Sequence, residues 1–300
     1  MKKTIALMLS LMLTMGLLAG CSSSQPSSST PSSDVPAEVL GVTVKAGGKL
    51  EGILANGKMT MVMSPKYAPY EFIDLTNTTG GQEKYVGADI ELGKYIAEKL
   101  GVELVIDEMD FNGCLAAITE SKVDLAISGI GAKEERKEKM DFSDPYNPGA
   151  TNVVLILKDN AEKFKTIDDL NKAEVKLAVQ NASIQQSAAE KVLPNASLEI
   201  VSTPGDGIAE LLNGKLDGIV CAGPSAAGFI TRYDNLQTCE EDLGVTSSGM
   251  AIAVPKGNED FVEVLNLIIQ EVNDQGLFAQ WVLDAQDLSA SQQSLQSSSK

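Results

Sequence analysis

Asp89-Ile-Glu-Leu-Gly-Lys-Tyr-Ile-Ala-Glu-Lys-Leu-Gly-Val-Glu-Leu-Val-Ile106 reads as two elements in succession. Ile90, Gly93, Ala97 and Leu100 recur at helical spacing, and Gly101 follows as a residue suited to closing a helix. Glu103–Ile106 then reads as a strand. Upstream, the apolar run Met59–Met63 reads as a buried strand, and downstream come a helix over Asn112–Glu120 and a strand over Val123–Ser128. A second series repeats the alternation: strands Asn152–Leu157 and Val175–Val179, helix Ser183–Leu193, strand Leu198–Val201, helix Gly205–Asn213, strand Leu216–Cys221 and helix Ser225–Tyr233. A strand over Gly249–Val254 and helices over Asn258–Asp274 and Gly276–Ala285 follow. Alternation of this kind argues for α/β architecture with mostly parallel sheets. Extended crossings near Asn152 and Ser248 divide it into two lobes around a cleft. The expected boundaries are residues 41–149 and 247–288 for lobe 1 and residues 150–246 for lobe 2.

The first 20 residues have a different character. Met1-Lys2-Lys3 precedes an apolar run from Ile5 to Leu18 and then Leu18-Ala-Gly-Cys21. A basic start, a short apolar core and small residues before a cut site are the anatomy of a secretion signal. The run is shorter than the roughly 20 apolar residues of a membrane-spanning helix. Leu18–Cys21 resembles the lipobox of bacterial lipoproteins, which implies a signal over residues 1–20 and lipidation of Cys21. From Ser22 to Pro36 the chain is mostly Ser, Pro and Thr and has little to bury, as expected of an extended tether over residues 21–40. The Ser- and Gln-rich residues 289–300 read as a disordered tail.

Composition excludes several functions. The chain carries 24 basic and 41 acidic residues, a net charge of −17; without Lys2 and Lys3 there are 22 basic residues and the charge is −19. Phosphate backbones repel such a protein, and no basic, aromatic-interleaved stripe offsets this, so nucleic acid is not an expected partner. The chain contains no histidine, which removes Ser-His-Asp, Cys-His and His-metal chemistry. Cys114, Cys221 and Cys239 remain beside Cys21, without Cys-x-x-Cys spacing. Buried free thiols are favoured over a Cys221–Cys239 pair. No cofactor or metal is expected.

Several segments, in order, carry a resemblance. Lys58-Met-Thr-Met-Val-Met-Ser-Pro-Lys-Tyr-Ala-Pro-Tyr-Glu-Phe72, Tyr85-Val-Gly-Ala-Asp-Ile90, Met109-Asp-Phe-Asn112, Gly129 to Lys137, Asp141-Phe-Ser-Asp-Pro-Tyr146, Gly214-Lys-Leu-Asp217 and Gly276-Leu-Phe to Trp281 resemble solute-binding protein family 3. That family comprises the extracytoplasmic receptors of amino-acid ABC importers. The resemblance implies a type II periplasmic-binding-protein-like fold, two hinge crossings and closure on one small ligand. It also implies a membrane permease as partner, an extracytoplasmic and lipid-anchored location, a monomer, and no catalysis.

The resemblance also assigns site residues. Arg136 stands where the family's carboxylate-binding arginine stands, and a planar guanidinium grips a carboxylate with two parallel hydrogen bonds. Tyr67 and Phe111 match aromatic positions that line the ligand side chain. Asn112 has two open readings, as helix cap or cleft residue. Ser64 aligns with a polar position on the first strand, Glu71 is the acid of Pro-Tyr-Glu-Phe, and Ser128 and Gly129 end a strand where a cleft would lie. In the second lobe Ser183 and Gln185 open a helix, with Ser183 as cap, ligand donor or both. Three positions depart from the family: Gly131 replaces Ser or Thr, Ile184 replaces a second hydroxyl, and Ala222 replaces the acid that accepts the α-ammonium. Glu71 is a candidate substitute for that acid; otherwise the ligand lacks a standard amine. Two rival readings share the fold: a sensor signalling to a membrane partner, and a dehydratase-like enzyme, for which no catalytic set appears.

Overall fold

Met59, Met61, Val62 and Met63 are all buried because their strand is covered on both faces. The computed structural model describes residues 35–77 and 79–298. The expected signal, Cys21 and most of the tether lie outside the described residues. Lobe 1 begins with the short pair β1 (Glu38–Val39) and β2 (Val42–Thr43), helix α1 (Lys49–Asn56) and strand β3 (Lys58–Met63). A small three-stranded sheet follows from β4 (Lys66–Tyr67), β5 (Glu71–Ile73) and β6 (Tyr85–Val86). Next come α2 (Ala88–Leu100), β7 (Glu103–Glu108), α3 (Phe111–Thr119), β8 (Leu125–Ala126), α4 (Glu134–Lys137) and β9 (Met140–Asn147). The chain then crosses into β10 (Asn152–Leu157), α5 (Ile167–Leu170), β11 (Lys176–Gln180), α6 (Ile184–Val192), β12 (Ser197–Val201), α7 (Pro204–Leu212), β13 (Gly218–Ala222), α8 (Gly223–Arg232) and β14 (Leu236–Thr238). It returns through β15 (Met250–Pro255), α9 (Glu259–Asp274) and α10 (Leu277–Ser298).

Each lobe is built on one five-stranded sheet, ordered β7-β3-β8-β15-β9 in lobe 1 and β12-β11-β13-β10-β14 in lobe 2. The expectation of mostly parallel sheets is corrected. In each sheet two pairings are parallel (β3 with β7 and β8; β11 with β12 and β13) and two are antiparallel (β15 with β8 and β9; β10 with β13 and β14). The antiparallel strands β10 and β15 are the ones that follow the crossings, where Thr151 bridges Thr246 and the Ser247 amide donates to Ala150 O.

The period-2 alternation of strands sorts the lobe 2 core onto two faces. Val154, Ile156, Leu177, Val179 and Val220 pack on one side, while the intervening Leu155, Ala178, Ile219 and Cys221 pack on the other. In lobe 1, Ile90, Ile96, Ile268 and Val272 bring the apolar faces of α2 and α9 onto β3 and β15. Gly101 closes α2 at φ 69° and receives no steric penalty there.

The strand β9 is absent from the sequence reading, because Asp141, Ser143, Asp144 and Pro145 look like loop residues. It is an edge strand with register shifts against β15, a position where proline is tolerated. Glu38 and Val39, assigned to the tether, form β1 of the β1–β2 pair, whose Val42 is buried. The tail read as disordered is helical to Ser298: Ser289 Oγ accepts from Arg232 Nη2 at 2.5 Å and Gln292 Nε2 donates to Asp74 Oδ1 at 2.8 Å. Tertiary partners there outweigh weak intrinsic propensity. Cys114, Cys221 and Cys239 are free and buried.

Adjacent residues of α9 give a direct test of this packing, since Ile268 is fully buried and Leu267 is 40% exposed. Ile268→Ala should cost about 2–5 kcal/mol in urea unfolding, and Leu267→Ala less than about 1 kcal/mol. Equal losses would mean that α9 does not seat this face on the sheet.

Candidate functional site

The ends of both sheets and the loops that follow them enclose one cleft between the lobes. From lobe 1 come Ser64 after β3, Tyr67 and Glu71 on the small sheet, Phe111 at the start of α3, the loop Ser128–Gly131, and Arg136 on α4. Lobe 2 contributes Ser183 and Gln185 at the start of α6 and Ala222 at the end of β13. Eleven of the twelve residues expected from the sequence therefore share one wall or the other. Asn112 does not. It is exposed on α3, and the cap of that helix is Asp110, whose side chain accepts the Gly113 amide at 2.8 Å.

Arg136 is buried and held from both lobes. Its Nη1 donates to Gly131 O at 2.6 Å, its Nη2 donates to Ala182 O at 2.7 Å, and the guanidinium lies 5.6 Å from the Phe111 ring centre. Desolvation lowers its pKa to about 10, so it stays charged at neutral pH. Two further contacts cross the cleft. Lys133 Nζ donates to Ser183 O and Ser187 Oγ, both at 2.7 Å, and the Tyr67 hydroxyl pairs with Ser225 Oγ at 2.6 Å. Burial, then the Arg136 charge, lowers Lys133 to about 8.

The lobe 1 wall rests on a buried acid pair. Ser128 Oγ accepts the Ser64 amide and donates to Glu71 Oε1 at 2.7 Å. Asp89 Oδ2 accepts the Gly129 amide at 3.0 Å and the Tyr146 hydroxyl at 2.9 Å. Glu71 Oε2 and Asp89 Oδ1 are buried without a hydrogen-bond partner, and Asp89 is close enough that its charge opposes ionisation of Glu71. Burial and the Asp89 charge push Glu71 well above the usual carboxylate range, and burial raises Asp89 to about 6. Asp89 receives two donors and Glu71 one, so the charge is better held on Asp89 and Glu71 is the acid that burial keeps neutral. Gly129 adopts φ 58° here, and a Cβ on it would lie 2.8 Å from the Tyr67 ring.

Across the cleft, Ser183 caps α6 by accepting the Gln186 amide at 3.0 Å, and Gln185 Nε2 donates to Asn152 Oδ1 at 3.0 Å. Ala222 precedes α8 and offers no side-chain cap. Sequence reasoning missed Lys66, Thr203 and Met250 in the lining, Ser225 as the partner of Tyr67, and Asp89 behind Glu71. Asp89 carried a signal: it is an acid on the apolar face of an amphipathic helix.

Residues 59–283 match the bacterial extracellular solute-binding proteins, family 3. The chain belongs to that family. Among individual relatives it is 30% identical over 226 residues to the arginine-binding extracellular protein ArtP of Bacillus subtilis, covering 74% of this chain and 84% of that one. It is 28% identical over 247 residues to the L-cystine-binding protein TcyJ of Escherichia coli, covering 80% and 88%. Among solved structures it resembles an amino acid ABC transporter substrate-binding protein from Streptococcus pneumoniae bound to L-arginine, with 32% identity and a TM-score of 0.74, covering 80% of this chain and 98% of that one. The two-lobe fold of this family 3 chain is thus that of type II periplasmic binding proteins. No helix among the described residues is long and apolar enough to cross a membrane.

The acid pair predicts a pH dependence. Unfolded Glu and Asp titrate near 4.5 and 3.8, below the folded values. The folded protein therefore binds more protons from about pH 4 upward, through the folded value of Asp89 at about 6 and on through that of Glu71. The pair's contribution is complete at acid pH and lost as pH rises through the folded values. Glu71→Gln keeps the shape of the side chain and removes one titration. The fall in Tm from about pH 5 to about pH 8 should be shallower in that variant; identical slopes in the two proteins would mean that Glu71 does not titrate above its unfolded value.

Proposed function

We propose that the cleft receives the carboxylate of an amino acid or related small acid on Arg136, and that the closed receptor hands this solute to the membrane permease of an ABC importer. The observation that carries the reading is the position of Arg136: a charged guanidinium, buried, in the cleft wall, and hydrogen-bonded to both lobes. Two of its five N–H donors are used by the Gly131 and Ala182 carbonyls, which fix the plane of the fork. A carboxylate meeting that fork gains charge-assisted hydrogen bonds in a low-dielectric space. Ser183, Ser64 and the Ser128–Gly131 backbone supply neutral polar contacts, while Tyr67 and Phe111 supply apolar walls.

Binding then selects the closed arrangement, because only there do Arg136 and the start of α6 act on one ligand. The relatives named above are binding proteins, which fits a receptor that performs no chemistry. Lipidation of Cys21 completes the proposal. The segment from Ser22 to Pro36 would keep the receptor close to its permease and raise its effective concentration there. Retention would need more than one acyl chain, since a single chain binds membranes reversibly.

Arg136→Ala should weaken the tightest-binding solute by about 30-fold or more in calorimetry, the equivalent of about 2 kcal/mol for an unpaired partner of a buried charge. Arg136→Lys should restore little, because an ammonium offers no planar fork. Unchanged affinity in both variants would remove Arg136 from the site.

A further inference from the structure

The charges in the cleft are one-sided. Among the residues that line it, Lys66 and Arg136 are the cations and Glu71 is the acid. Glu71 is 1% exposed, with Oε1 accepting from Ser128 Oγ and Oε2 buried without a partner. The charge of that pair resides on Asp89, which is fully buried and receives the Gly129 amide and the Tyr146 hydroxyl. Lobe 2 adds no carboxylate to the lining. It presents instead the N-terminal ends of three helices of nine or ten residues, at Ser183–Ile184 of α6, Thr203–Pro204 of α7 and Ala222 of α8. Ser183 caps α6, and Thr203 with Asp206 caps α7, so the α8 end at Ala222 is the one without a side-chain cap, and such an end favours negative over positive charge.

The contact surface beside Arg136 is also apolar. Ile184 Cδ1 lies 2.1 Å from the place a Cβ on Gly131 would occupy, so Ile184 reaches from lobe 2 over the glycine of lobe 1. Ala222, Val220 and Ile219 continue this lining along β13. A charged amine enclosed here would give up its hydration without meeting an ionised acceptor, at a cost of several kcal/mol.

We propose that the ligand is a carboxylate bearing no charged amine or other cationic group, that is a simple, hydroxy, keto or N-acyl acid. This rests on the reading of Arg136 as the carboxylate anchor. Arg136 pairs with the carboxylate, the uncapped end of α8 adds favourable potential, and the Ile184–Ala222 side accepts an uncharged α substituent.

The test is calorimetry on the protein, unfolded and refolded to strip carried-over ligand, with matched pairs: glutamate against 2-oxoglutarate and N-acetylglutamate, leucine against 4-methyl-2-oxopentanoate and N-acetylleucine, and arginine against N-acetylarginine as a cationic control. In at least one pair the amine-free acid should bind about tenfold or more tighter than its amino acid. Ala222→Asp, which also supplies a favourable cap for α8, should move that ratio toward the amino acid. A free amino acid that binds tighter than its amine-free counterparts, with affinity lost in Arg136→Ala, overturns this inference while the receptor reading stands. Silence from every compound, with no thermal shift, overturns both. The wild-type comparison decides the matter even where Ala222→Asp fails to fold.

Discussion

A single guanidinium sets the terms for this molecule. Arg136 donates to a carbonyl of each lobe and lies against Phe111, so the two walls of the cleft meet on one charge. Removing such a charge from water is expensive, and its lowered pKa records that cost. Two carbonyl bonds and an aromatic face offset part of it. They also hold the fork ready for an anion, so a carboxylate that enters does not have to organise its own partner. Lys133 and the Tyr67–Ser225 contact fasten the same two walls at other points.

Holding Arg136 in place requires that its neighbours not move. The loop Ser128–Gly131 is fixed by a network that reaches the end of β3 through Ser64, β5 through Glu71, α2 through Asp89 and β9 through Tyr146. Two acids in one apolar site would repel each other if both were ionised; one proton on the pair removes that repulsion. Glu71 is thereby a neutral strut in the lobe 1 wall rather than a standing countercharge. The role considered for it from the sequence, as acceptor of a ligand ammonium, would first require that proton to leave.

The fold was legible where burial imposes a period. Strand β3, helix α2 with its glycine stop, and the alternating cores of β10, β11 and β13 follow from apolar spacing alone. Strand direction was not legible, because β10 and β15 carry the same apolar run whichever way they enter their sheets. Edge strand β9 was hidden by its acids and proline, and the last turns of α10 by a composition that long-range partners stabilise. In the site, Arg136, Tyr67, Phe111 and Ser183 could be placed through ordered motifs of the family. Lys66, Ser225 and Asp89 could not, since their roles arise from contacts between segments distant in sequence. Asn112 was misplaced by one local decision, the choice of Asp110 as the cap of α3.

Gly131 and Ile184 acquire a joint meaning only in three dimensions. Read separately, each is the loss of a hydroxyl; in the structure one makes room for the other across the cleft. The exchange removes donors that would read the pattern of polar atoms around a carboxylate, and replaces them with a contact that excludes water beside Arg136. Excluding water strengthens the remaining charge pair. It also concentrates recognition in that pair and in shape, so polar detail near the headgroup contributes less to choice. A hydroxyl can reject an analogue that lacks its partner, because the buried hydroxyl is then left unpaired; an isoleucine imposes no such penalty. A cleft built this way discriminates by charge and bulk, and the cations that line it, Lys66 and Arg136, both stand on the lobe 1 wall.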